Sequence, residues 1–141
     1  MPNKSLIQRK IQEILKQLLF LDELTRENAI AILDDEKTLY LAERVMERLI
    51  GAAIDINMHL LKDLKQEIPA NYRDSFIGLS KINVLNEAFA KQIAHSIGLR
   101  NILIHEYQQL INEKFFEAMK EAKTDYKTYT EAILHFLSQH P

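Results

Sequence analysis

Arg100, Asn101, His105 and Tyr107 fall within eight residues of one another, and their side-chain types suit chemistry at a phosphate. On a helix, Asn101 and His105 are i,i+4 and share a face, and Arg100 and Tyr107 are i,i+7 and also stack. Arg100 and His105 stand about 140° apart at ~100° per residue, a gap that arginine's reach closes. A guanidinium offers an oxyanion a planar fork of donors, and an imidazole moves a proton near neutral pH. If the segment opens a helix, backbone donors and the helix dipole add to the hold on an anion. This is a minimal kit for phosphodiester cleavage by an RNA 2′-hydroxyl. One group deprotonates the nucleophile and another stabilises the phosphorane, with no metal in the scheme. One histidine per chain is thin for both acid and base, and a two-fold dimer would bring a second copy to the same cleft. On residue type alone, a packed or capping His105 and a surface ion pair at Arg100 is the commoner outcome.

A second polar constellation lies earlier in the chain. Arg44, Arg48, Asp55, His59 and Lys62 share a narrow polar helix face by i,i+4 and i,i+7 steps. Asp55 and His59 are one turn apart, so the carboxylate could hold one imidazole tautomer. The competing reading is an ordinary surface ion pair.

The elements that position these residues are helices. The 141 residues include only three glycines and three prolines, too few for the closely spaced turns of a β-sandwich or barrel. No glycine-rich phosphate loop occurs. The chain has no cysteine, 47% hydrophobic residues and a net charge of −2 from 18 basic and 20 acidic residues. That composition supports a packed core and excludes disulfides and thiolate metal sites. The polar start MPNKSLIQRK lacks the apolar region of a signal peptide, and no apolar run approaches a membrane span, so a cytoplasmic address is expected. A mildly acidic chain disfavours a broad basic nucleic-acid face. It permits a small cationic cleft at Arg100, with help from Arg44, Arg48 or Lys62.

Ser5 and Gln8 suggest a capping box ahead of a helix over about 6–24, with Leu6, Ile7, Ile11, Ile14, Leu15, Leu18, Leu19 and Leu21 at helical spacing. Thr25 is a candidate cap, and a short helix over about 26–33 is expected. The longest periodic segment spans 35–66, with one stripe through Ala42, Val45, Met46, Leu49, Ala53, Ile56, Leu60 and Leu64. A second stripe carries Ile50, Ile54, Met58 and Leu61. Two stripes fit either a central helix buried on both sides or a helix shared with a second subunit. Pro69 is expected to close this segment. A short helix follows over 72–82, then a helix ending near Gly98, another from about Leu99, and a final one over about 113–138.

The spacing Arg100-x4-His105-x-Tyr107 resembles the RX4HXY motif of HEPN domains, and specifically the HepT toxin family. Leu99-Arg100-Asn101-Ile102-Leu103-Ile104-His105-Glu106-Tyr107 is similar to that family's motif stretch, and Glu43-Arg44 through Ala52-Ala53-Ile54-Asp55-Ile56 to His59 is similar to its long second helix. The resemblance implies one all-α HEPN-type antiparallel bundle over 1–141, with four main helices and one or two short ones, assembled as a homodimer. It implies a metal-independent endoribonuclease toxin without a cofactor, for which tRNA is a natural first test substrate. By the motif, Arg100 would stabilise the scissile phosphate, His105 would be the general acid/base, and Asn101 would position. Asp55 and His59 match a recurrent polar pair. The implied partner is an MntA-type minimal nucleotidyltransferase antitoxin that transfers AMP groups onto the motif tyrosine, Tyr107. Added phosphate charge beside Arg100 would exclude RNA. The alternative is a non-catalytic helical binding subunit of a nucleotidyltransferase, and the intact motif favours the nuclease.

Overall fold

The computed structural model describes residues 3–26, 28, 31, 34–105 and 113–140, with 101–105 and 113 described by their backbone. Among these residues the structure is helical: α1 (Lys4–Leu24), α2 (Glu36–Asp63), α3 (Tyr72–Lys81), α4 (Glu87–Ala94), α5 (Ser96–His105) and α6 (Glu113–Gln139). Three helices are long and three have eight to ten residues. The short helix expected over 26–33 falls largely outside the described residues.

α2 is the central element, packed against α1, α3 and α5. Both of its stripes are buried inside this one chain: Met46, Leu49, Ala53 and Ile56 on the first, and Ile50, Ile54 and Leu61 on the second. Stripe width is therefore explained without a second subunit. α1 runs antiparallel to α2, because Lys10 pairs with Asp55 while Glu13, one turn later, pairs with Arg48. On α1 the buried positions are Ile7, Ile11, Ile14, Leu21 and Leu24, whereas Leu15 and Leu19 face solvent. The apolar stripe of α1 is thus narrower than its leucine content suggests. Lys123 of α6 reaches back to Asp22 and Thr25 at the other end of α1.

Helix ends depart from the expected punctuation. Asn3, rather than Ser5, caps α1, its Oδ1 accepting the Leu6 N–H at 3.2 Å. Thr25 closes the helix at its C-terminus, its hydroxyl donating to Leu21 O at 2.8 Å. α2 stops six residues before Pro69. Lys65 takes a left-handed φ of 58°, its N–H donates to Lys62 O, and the Gln66 N–H donates to Leu61 O. Asn83 does the same after α3, with a φ of 62° and the Val84 N–H on Leu79 O. Both are Schellman stops built without glycine.

A buried polar chain ties three helices together. The Tyr129 hydroxyl donates to Asn57 Oδ1 at 2.6 Å, Asn57 Nδ2 donates to Ser75 Oγ at 3.1 Å, and Ser75 Oγ donates to the Tyr72 carbonyl at 2.6 Å. Burial pushes the Tyr129 phenol's pKa well up, so it remains a donor. Phe76 packs edge-on to the Tyr129 ring at 5.9 Å. At Gly78 a Cβ would stand 3.2 Å from both Leu61 methyl carbons, so α3 approaches α2 closely there. The start of α3 is thereby fixed to the core.

Candidate functional site

The helix carrying the motif begins at Ser96, earlier than expected, and Gly98 lies inside it. The break falls at His95. Ser96 Oγ donates to Ile93 O at 2.6 Å and accepts from the Tyr126 hydroxyl at 2.6 Å. Burial raises the Tyr126 pKa, so that phenol keeps its proton. The His95 N–H reaches Gln92 O and the Gly98 N–H reaches His95 O, both tight three-residue steps. Arg100 is therefore the fifth residue of α5, beyond the first turn. The first turn of α5 is 96–99, and the Gly98 N–H in it is already bonded to His95 O, so the expected placement of Arg100 at an N-terminal anion cradle does not hold.

Arg100 instead reaches a groove of about 710 Å³ where α1, α2, α3 and α5 meet. Five cations line it: Arg9 and Lys10 from α1, Arg44 and Arg48 from α2, and Arg100. Two carboxylates, Glu13 and Asp55, stand among them. Three of the cations are paired: Lys10 with Asp55 at 2.9 Å, Arg48 with Glu13 at 2.5 Å, and Arg44 with Glu47 at 3.3 Å. The Arg48 hydrogen bond holds the Glu13 carboxyl below the usual glutamate range. Among the described residues, Arg9 and Arg100 have no ion pair. The Arg100 guanidinium lies over the Tyr72 ring, 5.3 Å from its centre, and its Nε is buried without a hydrogen-bond partner among the described residues. An unpaired guanidinium keeps its charge and donors for an incoming anion.

The other predicted site residues are placed as follows. Asn101 and His105 lie on the backbone of α5, one turn apart. Tyr107 is outside the described residues. Asp55 pairs with Lys10, and His59 is half-buried beside Met58, Lys62 and Ile68 in a separate hollow. The surface-ion-pair reading of Asp55 thus holds, with α1 supplying the partner. Lys62 lies with His59, away from the groove that holds Arg44 and Arg48. The sequence did not single out Arg9, Lys10, Glu13 or Tyr72. The first three look like the solvated face of an amphipathic helix, and Tyr72 looks like a core aromatic. No group of three or more histidines and carboxylates is placed to hold a metal among the described residues.

Comparison with known proteins bears on the family and the fold. Residues 10–133 match the family of HepT-like ribonucleases. A tRNA nuclease HepT from Aphanizomenon flos-aquae is 37% identical over 122 residues, covering 84% of this chain and 82% of that protein. An mRNA nuclease HepT from Shewanella oneidensis is 28% identical over 88 residues, or 62% of this chain and 66% of that one. The fold also matches the tri-AMPylated Shewanella oneidensis HEPN toxin solved in complex with an MNT antitoxin. There the TM-score is 0.84 with 23% identity over 96% of this chain and 99% of that one. The family match over most of the chain, on a helical bundle whose sequence carries an intact Arg100-x4-His105-x-Tyr107 motif, places this protein in the HepT-like ribonuclease family.

Proposed function

We propose that this HepT-type ribonuclease cleaves RNA by metal-independent 2′-hydroxyl transesterification at the groove that Arg100 enters. The Arg100 guanidinium carries the reading: among the described residues it has no carboxylate partner, whereas Lys10, Arg44 and Arg48 in the same groove are each held by one. Arg100 binds the scissile phosphate and stabilises the charge that develops on the phosphorane. His105 moves the proton between the 2′-hydroxyl and the leaving 5′-oxygen, and Asn101 positions the strand. The whole chain, 1–141, acts as one domain in a homodimer, which supplies the second acid/base histidine. Asp55 serves by holding Lys10 at the groove wall. Among the described residues no helix is long and apolar enough to cross a membrane, in keeping with a cytoplasmic enzyme acting on RNA.

The Shewanella toxin that shares the fold is AMPylated and bound to an MNT antitoxin. By analogy, a minimal nucleotidyltransferase of MntA type adds AMP to Tyr107. Each AMP sets a phosphate near Arg100 and closes the groove to RNA.

The test is cleavage of tRNA and mRNA by purified protein in EDTA. Wild type is expected to cut, and His105→Ala and Arg100→Ala each to lose about 10²-fold or more. Co-expression with the nucleotidyltransferase should add AMP increments to the intact mass, and Tyr107→Phe should prevent them. Equal cleavage by His105→Ala refutes the catalytic assignment. A stable complex with the nucleotidyltransferase, and no cleavage by the free protein, would make the chain a binding subunit instead.

A further inference from the structure

We infer that Tyr72 is a nucleobase-stacking platform adjoining Arg100, an inference that rests on Arg100 holding an RNA phosphate. Tyr72 is the first residue of α3 and remains 42% exposed, a large aromatic left in water beside a cationic cluster. Its ring meets the Arg100 guanidinium at 5.3 Å. It also forms the wall between two hollows: the cationic groove, and a second of about 540 Å³ lined by Asn71, Arg73, Ile97 and Gly98. Tyr72 thus stands between the two hollows and keeps 42% of its surface exposed beside Arg100. At Gly98 a side chain would meet nothing within 4 Å, so the second hollow is open on the α5 side.

The backbone beneath the ring is hydrogen-bonded at two points. Asn71 Oδ1 accepts the Asp74 N–H at 2.8 Å and fixes the helix start. The Tyr72 carbonyl accepts from Ser75, the outer end of the buried chain through Asn57 to Tyr129. An exposed ring on an ordered backbone loses little freedom on binding, which is the economy of a preformed site. A nucleotide whose phosphate sits at Arg100 carries its base one sugar away, within reach of the neighbouring ring. Stacking on an aromatic face accepts any base. The platform would thus add affinity for single-stranded RNA without reading its sequence.

The chain contains no tryptophan, so Tyr72→Trp installs a single reporter at the site. In a His105→Ala background, the variant is titrated with an all-2′-deoxy oligonucleotide carrying an anisotropy label. Tryptophan emission should fall in step with the anisotropy rise, and an abasic strand of equal length should leave it nearly unchanged. In the catalytically intact protein, Tyr72→Leu should raise KM for RNA about 5- to 150-fold, with a much smaller change in kcat. Tyr72→Phe, which keeps the ring, should restore KM. Strand binding with tryptophan emission unmoved overturns the inference. So does a Tyr72→Leu defect confined to kcat, which would reduce the ring to a support for Arg100. A wild-type protein that binds no strand overturns the phosphate reading and this inference with it. A wild type that cleaves normally while the tryptophan stays silent overturns this inference alone.

Discussion

The groove charges make a quantitative prediction about salt. Arg9 and Arg100 are unpaired among the described residues, while Lys10 and Arg48 are held by Asp55 and Glu13. If only the two unpaired cations release counterions, the log–log slope of affinity against salt for single-stranded RNA is about −1.4, at about −0.7 per phosphate neutralised. Between 50 and 200 mM salt that is a loss of roughly sevenfold. Glu13→Gln frees Arg48 and Asp55→Asn frees Lys10, so each should steepen the slope by about 0.7 and tighten binding at low salt. The double variant should lose roughly fiftyfold over the same range. The assay is fluorescence anisotropy of a labelled 2′-O-methyl RNA, which lacks the nucleophile, at several salt concentrations. A wild-type slope near zero removes the cationic groove from RNA binding. Slopes unchanged by both substitutions refute the claim that the carboxylates hold Lys10 and Arg48 back.

Three further predictions concern the scaffold. Asn57→Leu breaks the buried chain between Tyr129 and Ser75 and should cost about 1–3 kcal/mol, read as a lower urea midpoint at unchanged slope. Lys65→Gly relieves a left-handed φ at the end of α2 and should stabilise by about 0.5–1 kcal/mol, measured by thermal unfolding. Glu13 has a carboxyl pKa lowered by Arg48, so its contribution is present above the ordinary glutamate range and lost as pH falls through the lowered value. The stability gap between wild type and Glu13→Gln, a few tenths to about 1 kcal/mol at pH 7, should close on acidification.

The long helices were legible because their burial follows one chain's own periodicity. Ile7, Ile11 and Ile14 on α1, and Met46, Leu49 and Ile56 on α2, are all buried as their spacing predicts. The stops were less legible, since Lys65 and Asn83 adopt left-handed conformations that sequence patterns assign to glycine. The break at His95 was illegible for a different reason. It is fixed by Tyr126, thirty residues away, and no local pattern encodes a partner at that separation. Glycine at 98 then marked the wrong residue. The candidate site divides in the same way. Arg100, Asn101, His105 and Tyr107 are a local spacing and could be read directly. Arg9, Lys10 and Tyr72 reach the groove only through the register of α1 on α2 and the seating of α3, which are tertiary facts.

That division shows how a chain of net charge −2 can present a local cationic site suited to the proposed polyanionic substrate. Five cations crowded into one groove repel one another in the free protein, and a bare cluster would attract any nucleic acid over a wide surface. Glu13 and Asp55 answer both problems. Each pairs with a cation contributed by the facing helix, which lowers the repulsion and ties α1 to α2. Among the described residues, Arg9 and the motif arginine are left uncancelled, and Arg100 is braced by the Tyr72 ring rather than by a carboxylate. An aromatic brace orients a guanidinium while leaving its charge intact. A carboxylate in its place would orient it equally well and would compete with the phosphate. Tyr72→Glu should therefore impair cleavage more than Tyr72→Leu at low salt, and raised salt should narrow the difference as the new ion pair is screened. Equal defects at every salt concentration would show that brace chemistry is immaterial and that only packing at position 72 matters.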